Sequence, residues 1–350
     1  MLNHGRKRAS WVLGAAIAAL ACLPGNALAA HDLLVYKAEK QVDLNSDDQL
    51  DYVQCLPGDY ALDGMWRIDH VDYDEDMTFA DTMTSTDVLE AKRDPVLANR
   101  YNFRFVKNSL GRTQLKLFVT CLSSKTASDA SHTHTFVYSG PKAISPADAA
   151  AATNVAGPAD IIIDDFAVDE DASQAGNQAC KVGEVAVSPG WSVARNGGGE
   201  MPEVWGRITG STLFGAQVLP KGQANRNSWK WRFHVNSTPG DNVDLSVSVY
   251  CLQIKVGPGS GGNTSKHKLT IKRNRDWTAS LPANAVTERQ INCGDHYKAM
   301  VAGWWLTNPL TTWYMGMDPR LKSRAFRFLN SGGSSETVEL AALCFNYRTT

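Results

Sequence analysis

Oxygen-bearing side chains recur at Asp43, Asn45, Asp47 and Asp51 in the stretch "DLNSDDQLD". Counted from Asp43 they stand first, third, fifth and ninth, the spacing by which a calcium loop turns carboxylates towards a hard cation. Two positions break the pattern. Asp48 stands sixth, where the sharp turn wants glycine, and Gln54 stands twelfth in place of a bidentate glutamate. A solvated acidic loop is the default reading, and calcium is the ion the loop would hold. "DYDED", Asp72 to Asp76, is a second acidic loop with the same weakness.

Histidines offer a different chemistry. His132 and His134 in "SHTHTF" would share one face of a strand, a spacing able to chelate a transition metal. No third ligand stands nearby, so the expectation is an exposed polar strand face. Cleavage after Ala30 would make His31 the first residue, with an amine and an imidazole that could hold copper. Against that, His31 opens "HDLLVY", which is echoed by "HTFVYS" at His134 and "HKLTIK" at His267, and so it reads as an ordinary repeated strand residue.

Aromatic residues provide the remaining candidates. "GWWLTNPLTTWYMGM" holds Trp304, Trp305, Trp313 and Tyr314. Neighbouring side chains on a strand point to opposite faces, so these rings cannot all enter one core. Trp305, Trp313 and Tyr314 are therefore expected to form an exposed patch that stacks on a glycan or packs against a surface protein, with burial between repeats as the competing outcome. Gly-x-Ser-x-Gly, His-Glu-x-x-His and a phosphate-binding glycine loop are all absent, and no residue is assigned to catalysis.

The elements that carry these groups are repeated. Cys55, Cys180 and Cys293 are each followed six residues later by alanine (Ala61, Ala186, Ala299) and eleven later by tryptophan (Trp66, Trp191, Trp304). Further on, "YNFRF", "WKWRF" and "RAFRF" end at Phe105, Phe233 and Phe328, and alternating strands then close on Cys121, Cys251 and Cys344. Each repeat holds one cysteine pair, which selects Cys55–Cys121, Cys180–Cys251 and Cys293–Cys344 from the 15 pairings that six cysteines allow. Closing loops of about 50 to 70 residues stabilises each repeat by about 4 kcal/mol on the chain-entropy model. No Cys-x-x-Cys occurs, so the cysteines are staples and not zinc or redox ligands.

Period-two alternation broken by Gly, Pro, Asn and Asp indicates an all-β protein of three tandem antiparallel β-sandwich modules. In "YNFRF" the rings of Tyr101, Phe103 and Phe105 face the core while Arg104 faces solvent or a carboxylate on the next strand. Cysteine, tryptophan and a late second cysteine resemble the immunoglobulin-like layout. The tyrosine that layout carries two residues before its second cysteine is replaced by Val119, Val249 and Ala342.

The expected organisation is a signal peptide at 1–30, a module at 31–140, an Ala/Pro-rich linker at 141–160, and modules at 161–262 and 263–350. Arg6, Lys7 and Arg8, the apolar run Trp11–Leu23 and the Ala-Leu-Ala site ending at Ala29 form the signal. A lipidated alternative would need cleavage before Cys22, where Ala19 fits poorly. Loss of the signal leaves 32 basic against 36 acidic residues, a formal charge of −4, which recommends neither nucleic acid nor anionic membrane. No later run is long enough to span a bilayer as a helix. The function expected is binding or scaffolding in the periplasm, at the cell surface or outside the cell. The alternative is a secreted glycan-directed enzyme with its site between modules.

Overall fold

The computed structural model describes residues 31–44, 48–72, 86–107, 112–127, 132–142, 153–157, 159–163, 180, 183–197, 206–214, 228–235, 242–262, 267–308 and 310–349. They are all-β, with a single 3-10 turn at Ser260–Gly262. Each repeat contributes six strands. The first supplies β1 (Val35–Leu44), β2 (Asp48–Gln54), β3 (Tyr60–Asp72), β4 (Thr86–Arg93), β5 (Arg100–Lys107) and β6 (Arg112–Leu122). The second supplies β7 (Tyr138–Lys142), β8 (Ala159–Ile163), β9 (Glu184–Arg195), β10 (Gly206–Phe214), β11 (Ser228–Val235) and β12 (Val243–Gln253). The third supplies β13 (Ile271–Leu281), β14 (Ala285–Asn292), β15 (Tyr297–Leu306), β16 (Thr312–Arg320), β17 (Ser323–Asn330) and β18 (Glu336–Asn346).

Within a repeat the strands divide into two three-stranded halves, and the halves join across repeats into three antiparallel six-stranded sheets. Their orders are β1-β6-β3-β16-β17-β14, β2-β5-β4-β9-β12-β7 and β13-β18-β15-β10-β11-β8. The half made of the first, third and sixth strands of each repeat thus extends the half made of the second, fourth and fifth strands of the repeat before it, and the first repeat extends the third. The expected tandem modules instead form a cycle that shares its sheets. The physical reason is edge protection. In a separate module the tryptophan-bearing strands β3, β9 and β15 would leave open edges, and these are the strands that meet a neighbouring repeat. Arg67 pairs with Gly316, Trp191 with Ala91 and Trp304 with Ser211. Gly316 has φ +128°, and a Cβ there would lie 2.2 Å from the Trp66 carbonyl oxygen, so the first of these contacts requires glycine.

The strand after His134 belongs to the second repeat. β7 pairs with β12, as β1 pairs with β6 and β13 with β18. The stretch 141–160 therefore runs between two strands of the second repeat, β7 and β8, and does not separate two modules.

The three disulfides are those the repeat spacing selects: Cys55–Cys121, Cys180–Cys251 and Cys293–Cys344, with Cα atoms 5.4–5.7 Å apart. Such bonds form and persist in an oxidising compartment. No helix among the described residues is long and apolar enough to cross a membrane. Tyr101, Phe103 and Phe105 are buried, as are Trp229, Trp231 and Phe233, while Arg104 turns outward to Asp48 on β2. The third repeat departs at the first of these positions, where Arg324 is buried instead of an aromatic ring.

Candidate metal centre

The three echoing histidines stand at one structural position, each four residues before the first strand of its repeat. Their carbonyl oxygens accept from Thr349 N at 2.9 Å, Thr126 N at 2.9 Å and Val256 N at 3.0 Å, for His31, His134 and His267 respectively. Two residues on, Leu33 N, Phe136 N and Leu269 N donate to Tyr347, Ser124 and Ile254 oxygens at 2.8–2.9 Å. Each histidine is thus held in a short antiparallel bridge to the tail of the preceding repeat, and the tail of the third repeat bridges to His31. Thr349 and Thr126 add their hydroxyls as acceptors for the backbone N–H of His31 and His134.

Because the repeats form a cycle, equivalent residues converge on its axis. The ring centroids of His31, His134 and His267 form a nearly equilateral triangle with sides of 5.0, 4.8 and 4.7 Å. His132 is the fourth member, 4.6 Å from His31 and 4.8 Å from His134. All four are buried, His132 the least at 7 % exposure. The exposed strand face expected for His132 and His134 is therefore corrected. One candidate ligand atom from each of the four lies within 4.8 Å of the other three.

Hydrogen bonding orients the rings. His31 Nδ1 is 3.2 Å from the Ala127 carbonyl oxygen and His134 Nδ1 is 2.8 Å from that of Gly257. A carbonyl oxygen only accepts, so in both rings Nδ1 carries the proton and Nε2 presents a lone pair. His132 Nε2 lies 3.2 Å from His31 Nε2 and 3.0 Å from His134 Nε2. With at most one proton, His132 Nε2 can donate to only one of these neighbours at full strength, and if it carries none the three lone pairs face one another. A cation between them removes the conflict. Metal–nitrogen bonds of about 2.0–2.1 Å at tetrahedral angles put ligand nitrogens about 3.3–3.4 Å apart, close to both spacings. Histidine held through Nδ1–H to a backbone carbonyl is the common outer arrangement of metal-bound imidazole. Neutral imidazoles suit zinc, copper, nickel or iron, whereas calcium wants oxygen. The His31 backbone N is engaged by Thr349 Oγ1 at 3.0 Å.

The other residues singled out from the sequence lie elsewhere. Asp43 ends up on β1, where it accepts from Gln114 Nε2 at 3.1 Å, and Asp51 on β2 is paired with Lys40. Asn45 and Asp47 lie outside the described residues, as does most of "DYDED". Tyr314 is stacked on Trp304 at 3.7 Å and meets Trp66 at 5.1 Å, so it belongs to the seam between repeats one and three instead of an exposed patch. Burial drives its phenol well above the usual range, with the Asp63 carboxylate adding to the effect. Trp305 and Trp313 are half-buried. A second close group, Cys180, Glu184 and Cys251, is no ligand set, because its two sulfurs are bonded to each other.

The same seam holds a buried ion pair. Asp63 on β3 accepts from Ala302 N at 3.1 Å, and Arg324 Nε on β17 is 3.8 Å from its Oδ2. Arg324 also donates to Thr120 Oγ1 at 2.8 Å and to the Arg320 carbonyl at 2.9 Å. Burial pushes the Asp63 carboxyl up to about 7, against the opposing pull of the guanidinium and the Ala302 N–H.

The histidine set was missed as a set because repetition counted against chemistry at each histidine taken singly. The usable signal was the repetition itself, since three copies of a ligand become a ligand set once the repeats close on one axis. No protein-family model matches this chain, and no curated protein matches it.

Proposed function

We propose that this is an exported binding or scaffolding protein, without an enzymatic role, whose three repeats are organised around one buried transition-metal ion held by His31, His132, His134 and His267. The observation that carries the reading is the convergence of four buried histidines, two of them held through Nδ1 so that Nε2 faces a shared centre. Four protein ligands make a closed site of the structural kind, since catalytic zinc keeps a position open for water or substrate. The protein's own work would then lie on its surface. Trp305 and Trp313 keep partial exposure, and Leu310 between them in sequence is exposed, which supports a glycan or surface-protein contact there. The periplasm, the cell surface or the extracellular space is the proposed location, in keeping with the disulfides.

The test is a titration of the chelator-treated full chain with Zn²⁺, and with Co²⁺ as a spectroscopic probe. The expected result is one ion per chain, with the intense visible absorption of four-coordinate Co²⁺, both lost when His134 and His267 are changed together to Ala. Failure of the wild-type chain to take up either ion, or equal uptake by the double variant, defeats the reading.

A further inference from the structure

The three bridges that hold the histidine triangle are alike in hydrogen bonding and unlike in connectivity. Phe136 N reaches Ser124 O and Leu269 N reaches Ile254 O, and in both cases a short covalent loop joins the two sides. Leu33 N reaches Tyr347 O with almost the whole chain between them, and His31 N reaches Thr349 Oγ1 across a separation of 318 residues. A short loop keeps the two sides of the first two bridges near each other when they open, whereas the sides of the third are kept near each other only by the strands that flank them.

Outside the bridge, residues 31–34 are held by the buried side chain of Leu33 and by polar contacts at their backbone. Asp32 pairs with Arg348 at 2.8 Å, but both side chains are about half exposed, the setting in which ion pairs contribute little. Lys298 Nζ donates to the Leu33 carbonyl at 3.3 Å, and Ser123 N and Ala127 N donate to Leu34 and Asp32 oxygens at 2.9 Å. Two side chains of the segment are buried, Leu33 in the hydrophobic core and His31, whose Nε2 meets His132.

We infer that the ion bound by the four histidines is the clasp of the repeat cycle, locking residues 31–34 against 346–349 where the first repeat meets the third. This rests on the metal reading and adds to it a location for the effect. A ligand bond to His31 ties the segment to His134 and His267, which sit on bridges that already have covalent tethers. Ion binding therefore constrains the long-range bridge more than the other two, and metal supply becomes a control over whether residues 31–34 stay docked on 346–349, while the β3–β16 pairing joins the two repeats in either state.

Hydrogen exchange on the full chain, metal-free and with saturating Zn²⁺, tests this after uptake of Zn²⁺ has been measured on the same sample. The expected result is at least tenfold slower exchange at the amides of Leu33 and Thr349 on adding Zn²⁺, with a smaller change at Phe136 and Leu269. His31→Ala keeps three ligands and should still take up Zn²⁺, more weakly, while losing that protection; His267→Ala should keep it. Equal slowing at all three bridges in the wild-type chain, or none at Leu33 and Thr349 despite bound Zn²⁺, overturns the clasp and leaves the metal site standing. Absence of Zn²⁺ uptake overturns both. Because the decisive comparison uses the wild-type chain, a variant that fails to fold does not shield the proposal.

Discussion

Two triangles of repeat-equivalent residues mark this molecule, and they differ in kind. Trp66, Trp191 and Trp304 are all buried, with ring centroids 6.1 Å apart for Trp66–Trp191 and 5.9 Å for Trp66–Trp304. Trp66 meets the other two rings edge to face, a packing that needs no bound group between them. The histidines meet at 4.7–5.0 Å with His31 and His134 turning Nε2 towards His132, an arrangement that a proton or a cation can bridge. Cyclic closure of repeats triplicates whatever occupies the axis: apolar residues become core, and ligand atoms become a coordination set.

The comparison can be broken most forcefully at the tryptophans. Trp304→Ala should cost about 3–5 kcal/mol of stability through the cavity it leaves against Trp66 and Tyr314, measured by denaturant unfolding, with Zn²⁺ stoichiometry unchanged in the fraction that folds. A loss below about 1 kcal/mol would mean that the tryptophan cluster is not part of the core that holds the repeats together.

The histidine side should respond to metal. At free Zn²⁺ about 100-fold above its dissociation constant, mass action adds about 2.7 kcal/mol to the stability of the metal-free protein, and a rise in Tm reports it. In the His134→Ala, His267→Ala double variant that rise should vanish. Its survival would place the bound ion elsewhere.

A smaller effect is expected at Asp63, the polar group beside the tryptophans. Its carboxyl is raised to about 7 in the folded chain from an ordinary value near 4, so between these pH values the folded state holds more protons than the unfolded state. Its contribution therefore lowers stability as pH rises from about 4 to about 7 and is flat above that. Asp94 has the opposite sign. Arg100, Asn102 and backbone N–H groups outweigh its burial and hold its carboxyl far below the usual range, so its contribution is present above about pH 4 and is lost in acid. Asp63→Asn should remove the decline between pH 5 and 7 in urea melts, because the amide cannot ionise. An unchanged slope would mean that Asp63 does not titrate in this range.

The least effect is expected at the acidic loop. Asp51 already has Lys40, and an exposed pair of this kind is worth about 0–1 kcal/mol. Millimolar Ca²⁺ at constant ionic strength should shift the melting curve only if Asp43, Asn45, Asp47 and Asp51 form a site, and Asp51→Asn should then abolish the shift. Coincident curves would remove the acidic loop as a calcium site.

Local chemistry written in the sequence was readable residue by residue. Alternation in "YNFRF" specified which rings enter the core, because side chains on a strand alternate faces whatever the topology. The spacing of cysteines within each repeat specified the three disulfides for a similar reason, since each pair closes inside one unit. What tertiary structure alone decided is how the units meet. Whether β3 pairs with β4 or with β16 depends on a glycine-permitted approach at Gly316 and on closure of the whole cycle, neither of which leaves a periodic trace in the chain. The histidine cluster is a product of that closure: His31 and His267 stand 236 residues apart in sequence, and only the cycle brings their rings to 4.8 Å.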